Sequence, residues 1–443
     1  MTEQKLFGTD GIRGTVGQKP MTAEFALRLG VAVAQTFEGD AEPVRALVGM
    51  DTRESGSMFA HAIAAGITSC GADILWLGVM PTPGVAYLTR ELGGTVGIVI
   101  SASHNPYTDN GIKLFDRLGQ KLSDGVEARI EGLLDTNEAE PEASRIGRSA
   151  RYRHEDGEYL QFLLSHAPYL DGLKVGIDCA NGAASDIAPH IFRRIGAKLI
   201  VINHNPDGRN INVECGSGHP QAIRDCIIRD GLEVGVAFDG DADRVQLVDC
   251  RGRLVTGDHM LAINAVSRGE SSVVATQMTN LGTERYLTEQ GISLYRTRVG
   301  DRHVFEALRE RELLLGGEQS GHLLFLDLAS TGDGLLTALQ TLAAVRKSDA
   351  TLEDWIDAIP VFPQTLINVK VPPDQKAALA ICDEVTAAVH KAKEALGTDG
   401  RIDLRPSGTE PLIRIMVEGD DVDAVGDVAH RVAEAVEEAA KIV

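Results

Sequence analysis

Short apolar runs recur along the chain, each breaking off abruptly at polar residues. "VRALVGMDTR" leads through a helix-like stretch to "CGADILWLGV", "LKVGIDCANG" leads to "IGAKLIVINH", and "SSVVATQMTN" leads through "LGTERYLTEQ" to "GISLYRTRVG". Each pair is followed by a third run, and these end in "GIVISASHNP", "EVGVAFDGDADR" and "LLLGGEQSGH". Apolar runs of this length, entered through glycine and separated by amphipathic segments, read as strands joined by helices. Parallel neighbours need helical crossovers, so the pattern predicts three similar α/β domains with mixed sheets. Ligands of open α/β sheets sit beyond the carboxyl ends of the strands, where each third strand delivers its polar loop, so the three loops are expected to face a central cleft.

The tail reads differently. "TLINVKVPP" is a strand, "DQKAALAICDEVTAAVHKAKEAL" one long helix, "RIDLRPSGTEPLIRIMVEG" two strands joined by a turn, and the last 24 residues a final helix. A smaller C-terminal α+β domain follows. The expected partition is 1–152, 153–253, 254–364 and 365–443, with the hydrophilic stretch "DTNEAEPEASRIGRSARYRHEDGE" as the clearest linker.

A chain of 443 residues is too long for one core, which agrees with several domains. Its 64 acidic against 43 basic residues give a formal charge of −21, which argues against a nucleic acid partner because a polyanion needs a basic footprint. The six cysteines (Cys70, Cys179, Cys215, Cys226, Cys250, Cys382) show neither a CxxC pair nor zinc spacing and read as buried thiols in a reducing compartment. The N-terminal residues lack an apolar signal region and no run approaches the ~18 apolar residues of a membrane span, so a cytoplasmic protein without a membrane partner is expected.

In "FDGDADR", Asp239, Asp241 and Asp243 alternate at the end of an apolar strand. Carboxylates brought within about 4 Å of each other repel by roughly 4 kcal/mol at an effective dielectric near 20, so their convergence calls for a cation such as Mg²⁺. An EF-hand loop fails, since its sixth position would be Arg244 and its twelfth Cys250. "RPSGTEP" gathers Arg405, Ser407, Gly408 and Thr409 between two strands, with Arg414 on the next, which suits a phosphate dianion. Arg13, among the glycines of "GTDGIRG", is placed to reach an anion. Glu318 and Ser320 in "GEQSGH" offer hydrogen bonds to a sugar-like ligand, and His322 reads either as a proton carrier or as a structural histidine. Lys113, between Ile112 and Leu114, reads either as functional or as a lysine snorkelling from a strand.

Taken together and in this order, "FGTDGIRG", "SASHNPYTDNGIK", "DGDADR", "GEQSGH" and "RPSGTEPLIR" resemble the α-D-phosphohexomutase superfamily over essentially the whole chain. The resemblance implies a four-domain protein and an isomerase that moves a phosphoryl group within a sugar phosphate. It implies that Ser103 carries the phosphoryl group, that Asp239, Asp241 and Asp243 hold Mg²⁺ together with it, and that Arg244 lies beside them. By the same likeness Lys113, His322 and Arg13 serve proton transfer and charge stabilisation, and His104, Glu318, Gln319 and Ser320 contact the sugar. Arg405, Ser407, Gly408, Thr409 and Arg414 match the distal phosphate site.

Gln319 and the wording of the first and last motifs resemble the branch acting on glucosamine phosphates, with glucosamine 1,6-bisphosphate as intermediate and a homodimer allowed. Ser101 stands where many relatives have threonine, which keeps the hydroxyl. Phosphomannomutase or phosphoglucomutase activity, a metal-dependent sugar phosphatase and a non-catalytic sugar-phosphate binder stay open as rivals.

Overall fold

Val96–Ile100 and Val234–Phe238 are apolar or glycine at every position, and every residue of each is buried. Strands of this composition belong in the middle of a sheet covered on both faces. The computed structural model, which describes residues 6–8, 10–39, 44–135, 146–153, 157–397, 400–407 and 411–442, puts them there.

In the first sheet Asp109–Phe115, Val96–Ile100, Arg45–Met50 and Asp73–Val79 lie side by side in that order, the last three parallel and the first antiparallel. The second sheet repeats the arrangement with Val245–Asp249, Val234–Phe238, Lys174–Asp178 and Lys198–Ile202. The third orders Leu323–Phe325, Leu315–Gly317, Ser272–Thr276 and Ser293–Thr297 in the same way. In chain order each sheet therefore runs fourth, third, first, second. The third and fourth strands form an antiparallel pair, and their connection carries Ser103 in the first sheet, Asp239 to Asp243 in the second, and Glu318 to His322 in the third. One topology used three times places all three polar loops at equivalent strand ends, as the repeated pattern predicts.

Further strands extend the first two sheets. Ile12–Thr15 pairs antiparallel with Asp109–Phe115, which sets Arg13 opposite Gly111, and Leu254–Val255 pairs with Val245–Asp249. The stretch read as a linker contributes Ser149–Arg151, an exposed edge strand parallel to Asp73–Val79. Ile74 N donates to Arg148 O at 2.8 Å, and Asp73 Oδ1 accepts from Arg148 N, so backbone hydrogen bonding holds a segment whose composition is that of a loop. The rest of that stretch, 136–145 and 154–156, lies outside the described residues.

The described residues form two compact units, Met1–Thr276 with Tyr295–Ile356, and Gln277–Leu294 with Asp357–Val443. The smaller unit has an antiparallel sheet in the order Gln364–Lys370, Leu412–Gly419, Gly400–Pro406. Val369, Ile413, Ile415 and Val417 of this sheet share one core with Val385 and with Val428, Val432 and Val436 of the helix Val422–Ile442. The single long helix expected before Gly400 is two helices, Lys376–Leu379 and Asp383–Leu396. Cys382 is extended at φ −66°, ψ 158°, and caps the second helix, whose first turn carries Asp383 and Glu384. Acidic residues favour a helix N-terminus, and the break lets Leu379 and Val385 both reach the core.

Cys179, Cys215 and Cys226 are buried, but Cys70 and Cys382 are half-buried and Cys250 is exposed, which corrects the uniform burial expected of the thiols. All six are free. No helix among the described residues is long and apolar enough to cross a membrane.

Candidate active site

Ser103 leaves the strand Val96–Ile100 with φ 52°, a left-handed conformation unusual for a residue with a side chain, and is fully buried. Its Oγ donates to Asp239 Oδ2 at 2.6 Å and lies 3.3 Å from His104 Nδ1. Gly240 makes this approach of two loops feasible, because a Cβ there would stand 2.6 Å from Ser103 O and 2.7 Å from Asn212 Nδ2.

Asp239, Asp241 and Asp243 are buried, and one oxygen from each lies within 4.8 Å of the others. Burial, with the charges of Asp243 and Asp241, pushes the Asp239 carboxyl well above the usual carboxylate range. Asp241 Oδ1 and Asp243 Oδ1 are buried without a hydrogen-bond partner. Oxygen-rich, converging and undersatisfied, this donor set fits a hard divalent cation.

Lys113 is no snorkelling lysine, for it is 1% exposed. Its Nζ stands 2.8 Å from Asp241 Oδ2, 3.3 Å from Asp243 Oδ2 and 3.0 Å from Asp10 Oδ2. Burial alone would lower its pKa, but Asp10, Asp241 and Asp243 hold it well above the ordinary lysine value. Asp10 also pairs with Arg13 and, at 2.6 Å, with Lys121, which in turn reaches Asp301 Oδ2 at 2.5 Å. Arg13 Nη1 donates to Ala102 O at 3.3 Å, beside Ser103.

His322 lies between two carboxylates, with Nδ1 3.8 Å from Asp243 Oδ1 and Nε2 3.7 Å from Asp301 Oδ2. Burial would lower its pKa, yet Asp243, Asp301 and Glu318 raise it to about 9. A Cβ on Gly332 would stand 2.2 Å from His322 Nε2, so the ring occupies space that only glycine leaves. Arg244 donates its backbone N–H to Asp239 Oδ1 at 3.2 Å, and its Nη1 lies 3.3 Å from His104 Nδ1. Burial, then the charges of Arg244 and Arg13, lower His104 to about 4, which keeps that ring neutral near pH 7.

In the third loop, Glu318 Oε1 accepts from Gly300 N at 3.0 Å. Gln319 O accepts from Gly257 N and from Gln246 Nε2, which fixes the backbone of the loop. Ser320 Oγ is buried without a hydrogen-bond partner. In the smaller unit Arg405 and Arg414 are cross-strand neighbours. Ser407 N donates to Leu412 O at 2.9 Å, and Ser407 O accepts from Lys376 Nζ at 2.5 Å. Gly408 and Thr409 lie outside the described residues.

Ser103, Lys113, the three aspartates, Arg244, His104, Arg13 and His322 are thus joined through direct contacts or shared partners. Sequence reasoning missed Asp10, Lys121 and Asp301 around Lys113 and His322, and Lys376 beside Ser407. Asp10 sits inside "GTDGIRG", so the motif held the signal; Lys121, Asp301 and Lys376 carry no local one.

Sequence models of the phosphoglucomutase/phosphomannomutase family match in four consecutive pieces. Alpha/beta/alpha domains I, II and III cover 4–141, 157–252 and 256–362, and the C-terminal domain covers 366–435. The chain belongs to the phosphoglucomutase/phosphomannomutase family. Within this family it is 51% identical over 440 residues to a phosphoglucosamine mutase of Deinococcus deserti, covering 99% of both chains. It is 48% identical to a phosphoglucosamine mutase of Thermus thermophilus, covering 98% of both. Among solved structures, a phosphoglucomutase/phosphomannomutase family protein of Burkholderia thailandensis superposes with a TM-score of 0.82 at 24% identity, covering 99% of this chain and 98% of the other. An N-acetylphosphoglucosamine mutase of Aspergillus fumigatus, solved with GlcNAc-6P and magnesium, gives a TM-score of 0.66 at 18% identity, covering 98% and 96%. These last two likenesses speak for the fold.

Proposed function

We propose that the chain interconverts glucosamine 6-phosphate and glucosamine 1-phosphate, with Ser103 as the phosphoryl carrier. The observation that carries this reading is the buried Ser103 hydroxyl hydrogen-bonded to Asp239 within a three-aspartate cluster ringed by Lys113, Arg244 and His322. Near 50% identity to phosphoglucosamine mutases along the whole chain supports the substrate.

In the first half of the cycle the bond from phosphorus to Ser103 Oγ breaks and the free sugar hydroxyl forms a new bond to phosphorus, while Lys113 or His322, both held protonated, gives its proton to the departing Oγ and regains one from the sugar hydroxyl. The product is glucosamine 1,6-bisphosphate. After turning over, it returns the other phosphoryl group to Ser103 Oγ. Such transfer depends on alignment and charge neutralisation more than on covalent assistance. Asp239, Asp241 and Asp243, with the phosphate on Ser103, would hold Mg²⁺, which supplies neutralisation of the phosphoryl oxygens. Arg13 and Arg244 add fixed positive charge. Glu318, Gln319, Ser320 and His104 contact the sugar, and Arg405, Ser407, Gly408, Thr409 and Arg414 hold the non-reacting phosphate.

A four-domain partition at 1–152, 153–253, 254–364 and 365–443 belongs to this reading and is supported by the four matched family segments. So do a cytoplasmic location, where product would feed amino-sugar and cell-wall precursors, and a homodimer, which light scattering of the purified chain tests. The experiment for substrate choice is kcat/KM of the phosphorylated, Mg²⁺-loaded enzyme for glucosamine 6-phosphate beside glucose and mannose phosphates. Preference for the amino sugar by tenfold or more, about 1.4 kcal/mol, supports the proposal. Equal or reversed preference assigns the chain to the glucose and mannose branch.

A further inference from the structure

Ser103 holds a left-handed backbone without being glycine, and a strained residue of this kind persists only where its surroundings over-determine it. Both polar groups of its main chain are grasped. Ser103 N donates to Ser101 Oγ at 2.9 Å, and Ser101 Oγ donates in turn to Asp51 Oδ2 at 2.5 Å. Asp51 forms an ion pair with Arg53 in which both side chains are fully buried. The other arm of the Arg53 guanidinium then returns to the loop, with Nη2 donating to Ser103 O at 3.2 Å and to Asn105 O at 2.5 Å. From the second domain, Asn212 Nδ2 donates to the same two carbonyls, at 2.8 and 3.2 Å.

We infer that Arg53 and Asn212 are positioning residues for the phosphoryl carrier, a clamp from two domains that fixes Ser103 Oγ against the aspartate cluster. This rests on the proposed role of Ser103. A planar fork suits the task, because one guanidinium can bind the Asp51 carboxylate and two carbonyls at once, which an ammonium on a flexible stem does less well. The hydrogen bonds of the clamp all go to main-chain atoms of the loop or to Asp51 and Ser101, so the clamp acts on the attack geometry rather than on the sugar.

The test compares wild type, Asn212→Ala and Arg53→Lys as phosphorylated, Mg²⁺-loaded enzymes. Asn212 is half-buried and is itself left-handed at φ 60°, so Asn212→Gly, which removes the side chain without that backbone strain, is measured beside Asn212→Ala to separate positioning from stability. Asn212→Ala and Arg53→Lys are both expected to lose kcat by up to about a hundredfold, the scale of a roughly 1 Å misplacement, while KM stays within about threefold of wild type. The Tm of Asn212→Ala is expected to fall by only a few degrees, from two lost hydrogen bonds and a left-handed alanine, and kcat of Asn212→Gly to fall as far as that of Asn212→Ala. Unchanged kcat in Asn212→Ala, or a fall in kcat matched by a rise in KM, overturns the inference. A crystal structure of Arg53→Lys judges the clamp apart from turnover: relaxation of the Ser103 φ supports it, and an unchanged φ overturns it. Wild-type enzyme that never takes phosphate on Ser103 sinks the mutase reading instead, and the clamp is then decided by that crystal structure.

Discussion

Ser103 Oγ donates to Asp239 Oδ2 at 2.6 Å, joining the end of a strand in the first sheet to the equivalent strand end in the second. Each loop supplies what the other lacks. The first brings a hydroxyl that can accept a phosphoryl group, and the second brings carboxylates that can hold a cation beside it.

The metal is expected to stabilise the fold as well as to support turnover. Three buried carboxylates are crowded within 4.8 Å, and a cation that binds the folded chain alone stabilises it by mass action, about 2.7 kcal/mol at a hundred times Kd. Adding Mg²⁺ should raise Tm in differential scanning calorimetry, and chelation should reverse it. Asp241→Asn should lose that increment; a full Mg²⁺-dependent rise in this variant would count against the aspartates as ligands.

Lys113→Met leaves Asp10, Asp241 and Asp243 without the buried ammonium that each faces within 3.3 Å. Breaking a buried pair from one side costs about 3–5 kcal/mol. Urea unfolding without metal should show a loss of that order at an unchanged m value.

Gly240→Ala drives a Cβ to 2.6 Å from Ser103 O. The loops must part, so kcat should drop at least about tenfold while Tm falls by only a few degrees. Wild-type kcat in this variant would show that the close approach is dispensable.

His259 predicts an acid-sensitive helix start. It closes a capping box with Thr256 at the N-terminus of Gly257–Arg268, accepting from Thr256 N at Nδ1, and burial followed by the Arg253 charge lowers its pKa to about 4. The unfolded chain binds the proton first, so this contribution is complete above about pH 6.5 and declines as pH falls toward 4, by up to about 3 kcal/mol. His259→Gln keeps a capping acceptor without a titrating group, and should flatten the dependence of Tm on pH between 7.5 and 5 relative to wild type.

The repeated units were legible because buried parallel strands read as continuous apolar runs, and the loops at their ends because Ser, Asp and Glu break those runs so sharply. The helix break at Cys382 was not legible, since "AICDEV" keeps helical periodicity across it; the need to seat both Leu379 and Val385 in one core decides it. Ser149–Arg151 was hidden for the opposite reason, its edge pairing being made by backbone groups that leave no mark in composition. Within the site, the three aspartates declared themselves by spacing. Lys121 and Asp301 did not, because what makes them part of it is a contact between residues 180 positions apart. Arg53 could have been found, since it closes the first apolar run just as the polar loops close the others.

The central claim is that Ser103 carries the phosphoryl group between the two ends of the sugar. The direct measurement is mass spectrometry of the protein, charged with a hexose 1,6-bisphosphate, before and after one equivalent of glucosamine 6-phosphate is added with Mg²⁺. The account predicts that phosphate maps to Ser103, leaves it on addition, appears in the sugar bisphosphate, and never loads Ser103→Ala. Phosphate released to water, or turnover that persists in Ser103→Ala, would contradict it.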